Sequence, residues 1–152
     1  VRGEGPLLEA IEGYRSGFRP SARASRPYVV VSTAIAVAET TERARRLLIP
    51  EAWSTVYSRT HGVFPPLSPV EEILAEPLSD RDRERLDRAL DGQLAGTPDE
   101  LGDRLADLVE KTGADEILVT TSTFDQAERL ESYRGLAEVA GLRSLAATTA
   151  SG

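Results

Sequence analysis

Two stretches of the chain are apolar with little interruption. The first runs from Tyr28 to Ala38 and the second from Glu116 to Thr121, and both are rich in β-branched residues. Short apolar runs of this kind are typical of strands that are buried on both faces, as in a parallel sheet. The pattern therefore predicts two parallel strands and an α/β fold.

Between and around these strands, apolar residues recur at helical spacing. A first helix is predicted over residues 7–18. A second begins after Thr40 or Thr41 and is expected to stop at Pro50, because proline interrupts helical hydrogen bonding. A strongly charged third helix begins near Ser79. Its predicted apolar stripe consists of Leu86, Leu90 and Leu94.

Two further helices are indicated by capping boxes, in which a Thr is followed three residues later by Glu or Gln. Thr97 and Glu100 form the first, and Gly113 is the expected end of that helix. Thr123 and Gln126 form the second. Helices thus precede and follow each strand, which is typical of α/β proteins.

The segment from residue 51 to 69 shows no sustained periodicity, and long irregular segments in compact domains are often functional lids. We therefore predict a lid-like loop here. Trp53, Arg59, His61 and Phe64 are its candidate substrate contacts. The alternatives remain that His61 is a solvated loop residue and that Trp53 only anchors the loop.

A second group of candidates follows from the position of sites in parallel sheets, which is at the carboxyl ends of the strands. Thr121 and Ser122 lie at the end of the second predicted strand, where their hydroxyls could bind a ligand. The alternative is that these residues and Thr123 serve only the strand and the cap of the next helix.

Composition narrows the classes of function. The 152 residues suffice for one domain, and the formal net charge of −7 disfavours a nucleic-acid partner. The absence of Cys and the single His61 disfavour thiol chemistry and a metal site. No secretory signal or membrane span is evident, so a cytoplasmic location is expected. Lys111 is the single lysine beside many arginines, which suggests a bacterial genome rich in G and C.

Two parallel strands alone make an inadequate sheet, because both edges would carry unpaired backbone groups. The sequence therefore predicts that the sheet is completed by something else. Another chain segment, a partner subunit and a second copy of the chain are the alternatives.

Several segments together resemble the bacterial luciferase-like flavin-dependent monooxygenases. They occur in the family's order and cover most of residues 7–142. The segments are Tyr14–Ser21, Arg26–Val30, Ala38–Ala44, Leu94–Glu100, Thr112–Val119 and Phe124–Tyr133.

The resemblance implies the carboxyl-terminal part of a (β/α)8 TIM-type barrel, which is incomplete on its own because a full barrel needs about 250 residues. Residues 28–38 and 116–121 would be its last two strands. The segment 51–69 would be the family's mobile loop. Residues 1–143 would form the partial barrel domain, and residues 144–152 a flexible tail.

The resemblance also implies a reaction. A complete member uses reduced FMN and dioxygen to oxygenate a small organic substrate, and a separate flavin reductase supplies the reduced flavin. Most of the family's contacts to the flavin phosphate and isoalloxazine, and its key active-site histidines, lie upstream of this segment, so no catalytic or flavin-binding residue is assigned here, and the segment alone is expected to be inactive. A deazaflavin in place of FMN stays open. The alternative is a non-catalytic truncated remnant that acts by dimerisation or by docking on a full-length relative.

Overall fold

The computed structural model describes residues 4–142, which contain six helices and three strands. Residues 144–152, predicted as a flexible tail, lie outside the described residues. The helices are α1 (Glu4–Gly17), α2 (Thr41–His61), α3 (Val70–Ala75), α4 (Asp80–Asp91), α5 (Pro98–Thr112) and α6 (Gln126–Val139). The strands are β1 (Val30–Val37), β2 (Leu94–Gly96) and β3 (Glu116–Thr120).

The three strands form one parallel sheet in the order β2-β1-β3. The amino-terminal part of β1 pairs with β3, with Val30 opposite Glu116. Its carboxyl-terminal part pairs with β2, with Ile35 opposite Leu94. The predicted parallel pairing is confirmed, but the prediction of only two strands is wrong. Leu94, which was assigned to the apolar stripe of a helix, belongs to β2, the strand that was not predicted.

One face of the sheet, which we call the outer face, is covered by α1, α5 and α6. Side chains alternate along a strand, and residues paired in a parallel register point to the same side. On β1 the outer face comprises Val31, Ile35 and Val37, all buried. Ile117 and Val119 continue it on β3 and pack among residues of the flanking helices. This side holds the sheet in place.

The opposite face, which we call the inner face, is covered only in part. Ala36 lies in a buried cluster with residues of α2 and α4. Towards the amino-terminal end of the strands, Val30 is 49% exposed and Leu118 is 52% exposed. Ser32, opposite Leu118, is exposed as well. The expectation that both strands are buried on both faces is therefore wrong for this half of the sheet.

Helix α2 differs most from its predicted form, because it continues through Pro50 to His61. The prediction that it stops at Pro50, and that the following residues are irregular, is wrong for residues 51–61. A proline inside a helix costs about 3 kcal/mol. Here Pro50 is fully buried, and packing of the helix against β1 and α4 offsets that cost. The helix ends at Gly62, whose φ of 76° favours glycine.

Among the remaining helices, α5 follows its predicted signals, whereas α6 and α3 do not. Thr97 and Glu100 form the complete capping box, and Gly113 ends α5 with a φ of 58°. At α6 the prediction of Thr123 as the cap is wrong, because the Asp125 carboxylate accepts the hydrogen bonds from the N–H groups of the first turn. The Thr123 hydroxyl instead donates to the carbonyl oxygen of Asp125. The short helix α3 was not predicted.

Candidate functional site at the inner face

The candidate site is the bare part of the inner face together with the carboxyl ends of β1 and β3. Its exposed surface comes from Val30 and Ser32 on β1 and from Leu118 and Thr120 on β3, and the partly buried Ala34 packs against the cluster formed with α2 and α4. Helix α2 packs across the carboxyl-terminal half of this face through the cluster that contains Ala36. One side of the site is thus closed by a helix and the other is open.

At the strand ends, Thr121 is committed to the structure. Its side chain is buried, and its hydroxyl donates to the carbonyl oxygen of Ile35. Two residues further along β1, the N–H of Val37 donates to the Ser132 hydroxyl at 2.8 Å. Strand β3 has ended at this level, so two side chains supply the hydrogen bonds that a longer strand would make.

The other strand-end candidate, Ser122, is connected to α2 rather than to β1. Its backbone N–H donates to a carboxylate oxygen of Glu51 at 3.1 Å. Glu51 therefore ties the helix over the inner face to the end of β3. Sequence reasoning missed this residue, because the two partners are 71 positions apart and Glu51 was assigned to a loop.

The predicted lid residues fall into two groups. Trp53 and His61 lie on one stripe of α2 with Tyr57 between them, each a helical turn apart. The Trp53 and Tyr57 ring centroids are 6.0 Å apart in an edge-to-face arrangement, and Tyr57 stacks on His61 at 4.0 Å. Arg59 is exposed two residues after Tyr57, on a different side of the helix. Phe64 lies beyond the helix end and is 74% exposed.

Beside the strand ends is an open cavity of about 530 Å³, lined by residues of α2, α3 and the start of α6. Its two cations are already paired. Arg43 contacts Glu128 at 3.2 Å, and Arg46 contacts Glu71 at 2.7 Å. The cavity therefore offers no free guanidinium for a phosphate. Within residues 4–142, the His, Asp and Glu side chains form no group of three or more that could hold a metal ion.

A parallel sheet with helices on its outer face and a half-bare inner face defines a part of a (β/α) barrel. Similar proteins and a similar solved structure support this interpretation, whereas no family model matches the sequence. YvbT, an uncharacterised protein of Bacillus subtilis (strain 168), is 32% identical to this chain over 132 residues. The matched region covers 87% of this chain and 39% of the length of YvbT. The luciferase-like monooxygenase of Escherichia coli (strain K12) is 30% identical to this chain over 129 residues. The matched region covers 84% of this chain and 38% of the length of that protein.

The solved structures give the same answer. The crystal structure of apo-MsnO8 superposes with a TM-score of 0.72 at 29% identity, over 90% of this chain and 42% of that one. The chain is similar to luciferase-like monooxygenases over part of their length. It spans about two fifths of the length of the curated relatives it matches. Within the described part, each helix is too short or too polar for a bilayer crossing.

Proposed function

We propose that this chain is the carboxyl-terminal part of a luciferase-like monooxygenase whose complete barrel uses reduced FMN and dioxygen to oxygenate a small organic substrate. The observation that carries the proposal is the bare inner face beside α2. A barrel has its site at the carboxyl ends of its strands, and the bare surface reaches the carboxyl end of β3 at the exposed Thr120. Similarity to luciferase-like monooxygenases supports the type of reaction.

The residues on this face suit one wall of a flavin site. Ala34 and Thr120 occupy paired register positions, and both side chains are small enough to lie under a flat ring system. The exposed hydroxyls of Ser32 and Thr120 can bond to polar ring edges. Because Arg43 and Arg46 are paired with carboxylates, phosphate contacts are expected from outside this chain. A bound flavin supplies the reaction with oxygen.

The chain's own residues would hold the mouth of the barrel in shape and limit access of water. Glu51 fixes the end of β3 against α2, and the stripe of Trp53, Tyr57 and His61 makes one edge of that helix bulky. Residues 62–69, which have no regular structure, are the remaining candidates for a movable cover. Shielding of the reacting centre from water suppresses side reactions.

The proposed activity also needs a second protein. Reduced FMN would come from a separate flavin reductase, and we propose that both proteins work in the cytoplasm. The substrate is a small organic molecule that enters through the open side of the inner face.

A chimaera tests this function. The matched 129 residues of the Escherichia coli relative are replaced by this chain. FMN binding is followed by fluorescence titration, and dioxygen use is followed with reduced FMN. We expect binding with a dissociation constant on the order of micromolar. A folded chimaera that neither binds flavin nor consumes dioxygen would exclude the proposal.

A matched pair of variants locates the site within the chimaera. Ser32→Phe places a ring on the exposed inner face and should weaken FMN binding by at least about tenfold through steric exclusion. Leu130→Phe, at a 55% exposed position on α6, should leave binding unchanged. Equal effects of the two variants would place the flavin elsewhere.

A second candidate function is a non-catalytic remnant that acts by association. The exposure of Val30 and Leu118 favours it, because contiguous exposed apolar side chains often mark contact surfaces. The same chimaera separates the two candidates. Association without flavin binding favours the remnant, and flavin-dependent dioxygen use favours the enzyme.

A further inference from the structure

A smaller cavity of about 260 Å³ lies beside β2, between the start of α2, the end of α4 and helix α5. It shares no lining residue with the cavity at the strand ends. None of its lining residues belongs to the inner face that we propose for flavin. Its polar lining residues are Thr41, Arg45, Asp91, Gln93 and Arg104.

Gln93 is the lining residue that points to a ligand. Its side-chain oxygen Oε1 is buried without a hydrogen-bond partner, and it is the one such side-chain atom found within residues 4–142. A buried acceptor that makes no hydrogen bond costs free energy, and native proteins normally satisfy such groups. A molecule in the cavity that donates a hydrogen bond would satisfy Gln93.

Arg104 contributes a guanidinium to the same cavity. One of its N–H groups donates to the carbonyl oxygen of Ala95 at 2.8 Å. This carbonyl points away from β1, because the neighbouring carbonyl of Gly96 accepts from the N–H of Ala38 on the β1 side. The bond therefore holds the guanidinium along the edge of β2 that faces away from β1. A guanidinium has several further N–H groups, which can donate to a ligand.

The remaining polar residues set the charge of the cavity. The Arg45 guanidinium donates to the Asp91 carboxylate at 2.9 Å. The Thr41 hydroxyl donates to the Glu100 carboxylate and is therefore already engaged. With Arg104, two cations and one anion line the cavity. This balance favours a ligand that has a negatively charged group.

We propose that this cavity binds a small carboxylate that has a hydrogen-bond donor on the adjacent carbon, as an α-hydroxy acid or an α-amino acid has. The carboxylate accepts hydrogen bonds from Arg104, whose forked N–H groups match its geometry. The hydroxyl or ammonium group donates to Oε1 of Gln93. Cavities for drug-sized ligands measure roughly 300–1,000 Å³, so this smaller cavity suits a molecule of few atoms. The proposal goes beyond the flavin reaction and does not depend on it.

The side-chain amides of the chain provide a direct readout by nuclear magnetic resonance. The sequence contains no Asn and only two Gln residues, Gln93 and Gln126. Gln126 is exposed at the start of α6 and serves as the internal control. In the isotope-labelled chain, a ligand in the cavity should shift the side-chain amide signals of Gln93 and leave those of Gln126 in place.

Three carboxylates of similar size are titrated to test the need for a donor. Acetate has no donor on the adjacent carbon, glycolate has a hydroxyl and glycine has an ammonium group. We expect glycolate or glycine to bind with a dissociation constant on the order of millimolar. Its affinity should exceed that of acetate by at least about tenfold, because only a donor satisfies the buried oxygen. The tighter of the two ligands identifies the donor group.

Variants of the lining residues assign the contacts. Gln93→Leu removes the buried oxygen and should abolish the preference over acetate while the chain stays folded. Arg104→Gln should weaken binding of all three carboxylates by at least about tenfold. Arg88→Gln, at an exposed position of α4 that pairs with Glu84, is the matched control and should leave binding unchanged. Backbone amide signals of residues 94–96 follow binding in the variants.

Circular dichroism checks the fold of each variant. If Arg104→Gln fails to fold, Arg104→Lys replaces it, because lysine keeps the charge but lacks the forked geometry. Binding should then still weaken several-fold.

Four outcomes would overturn the proposal. One is equal affinity for acetate, glycolate and glycine, and another is a shift of Gln126 as large as that of Gln93. The third is unchanged binding in the folded Arg104 variant. The fourth is an unshifted Gln93 signal at ligand concentrations about one hundredfold above the expected dissociation constant.

Discussion

The two faces of one small sheet differ sharply in this molecule. On the outer face, Ile35 is 1% exposed and packs in a cluster with the fully buried Leu101 of α5. On the inner face, Val30 and Leu118 are about half exposed. The same strands thus contribute to a buried core on one side and to an exposed surface on the other. The difference teaches that burial of this sheet is uneven, and that the amino-terminal half of the inner face is a surface which the described residues leave uncovered.

The inner face itself changes along the strands. Its carboxyl-terminal half, around Ala36, is covered by α2 and α4, and only the amino-terminal half is bare. In a barrel the first of these halves lies at the end where sites form. The chain therefore covers the carboxyl-terminal half of this face with its own helices and leaves the amino-terminal half exposed.

The strongest test of this contrast is a pair of truncations to alanine. Leu101→Ala should lower the free energy of unfolding by about 2–5 kcal/mol, because it opens a cavity in the outer cluster. Leu118→Ala should cost less than about 1 kcal/mol, because that side chain is half exposed. Urea denaturation of both variants measures the difference. Equal losses would mean that the inner face is buried in solution.

A smaller effect is expected where α6 approaches the outer face most closely. A Cβ at Gly135 would lie 2.9 Å from a methyl carbon of Val37, so Gly135→Ala should destabilise the chain by roughly 1–3 kcal/mol. A Cβ at Gly13 in α1 would have no neighbour within 4 Å. Gly13→Ala should therefore stabilise the helix by about 0.5–1 kcal/mol. Thermal unfolding of the two variants should shift in opposite directions, and a parallel shift would refute the close approach.

The next test concerns the hydrogen bond between the Val37 N–H and the Ser132 hydroxyl at the end of β1. Ser132→Ala removes the acceptor of the buried Val37 N–H and should cost about 1–2 kcal/mol in the free energy of unfolding. Ser16→Ala, which removes an exposed hydroxyl from α1, should cost less than about 0.5 kcal/mol. Guanidinium denaturation compares the two. If the variants are indistinguishable, solvent reaches the end of β1.

The smallest effect concerns acid stability at the amino-terminal end of the sheet. The pKa of Asp115 is lowered because its carboxylate accepts the Val29 N–H and, second, pairs with Arg26. A lowered folded-state pKa gives stability that is present above the unfolded value of about 3.9 and is lost as pH falls through the folded value. Asp115→Asn should reduce stability at pH 7 and flatten the decline below about pH 5.

Arg26→Gln provides the graded comparison for this position. It removes the second cause of the lowered pKa and leaves the Val29 hydrogen bond in place. Its pH profile of unfolding should lie between those of the wild type and Asp115→Asn. A profile identical to that of Asp115→Asn would assign the whole effect to the ion pair.

The sequence predicted features that depend on neighbouring residues. The capping box of Thr97 and Glu100 needs only residue types three positions apart, and the structure contains it. The rule that proline ends a helix is equally local, and it failed at Pro50 because tertiary burial outweighed the lost hydrogen bond. Strand β2 was missed because its three residues become a strand only by pairing with β1.

The candidate site was predictable in position but not in its parts. Thr121 and Ser122 are at a strand end, as predicted, yet the hydrogen bonds they make join residues 86 and 71 positions apart. No spacing rule could have paired Ser122 with Glu51. Trp53 and His61 were predicted in a loop, and their common stripe became visible only once the helix was known to continue.

The separation of β1 and β3 along the chain sets the interval between the synthesis of the two strands. Each of residues 30–34 of β1 pairs with a residue of β3 that is 86 positions later, as Val31 does with Ile117. At a synthesis rate of about 5–20 residues per second, β1 leaves the ribosome roughly 4–17 s before its partner. During that interval both edges of the strand are available to chaperones or to other nascent chains. The order of synthesis therefore sets how long β1 stays without its partner β3.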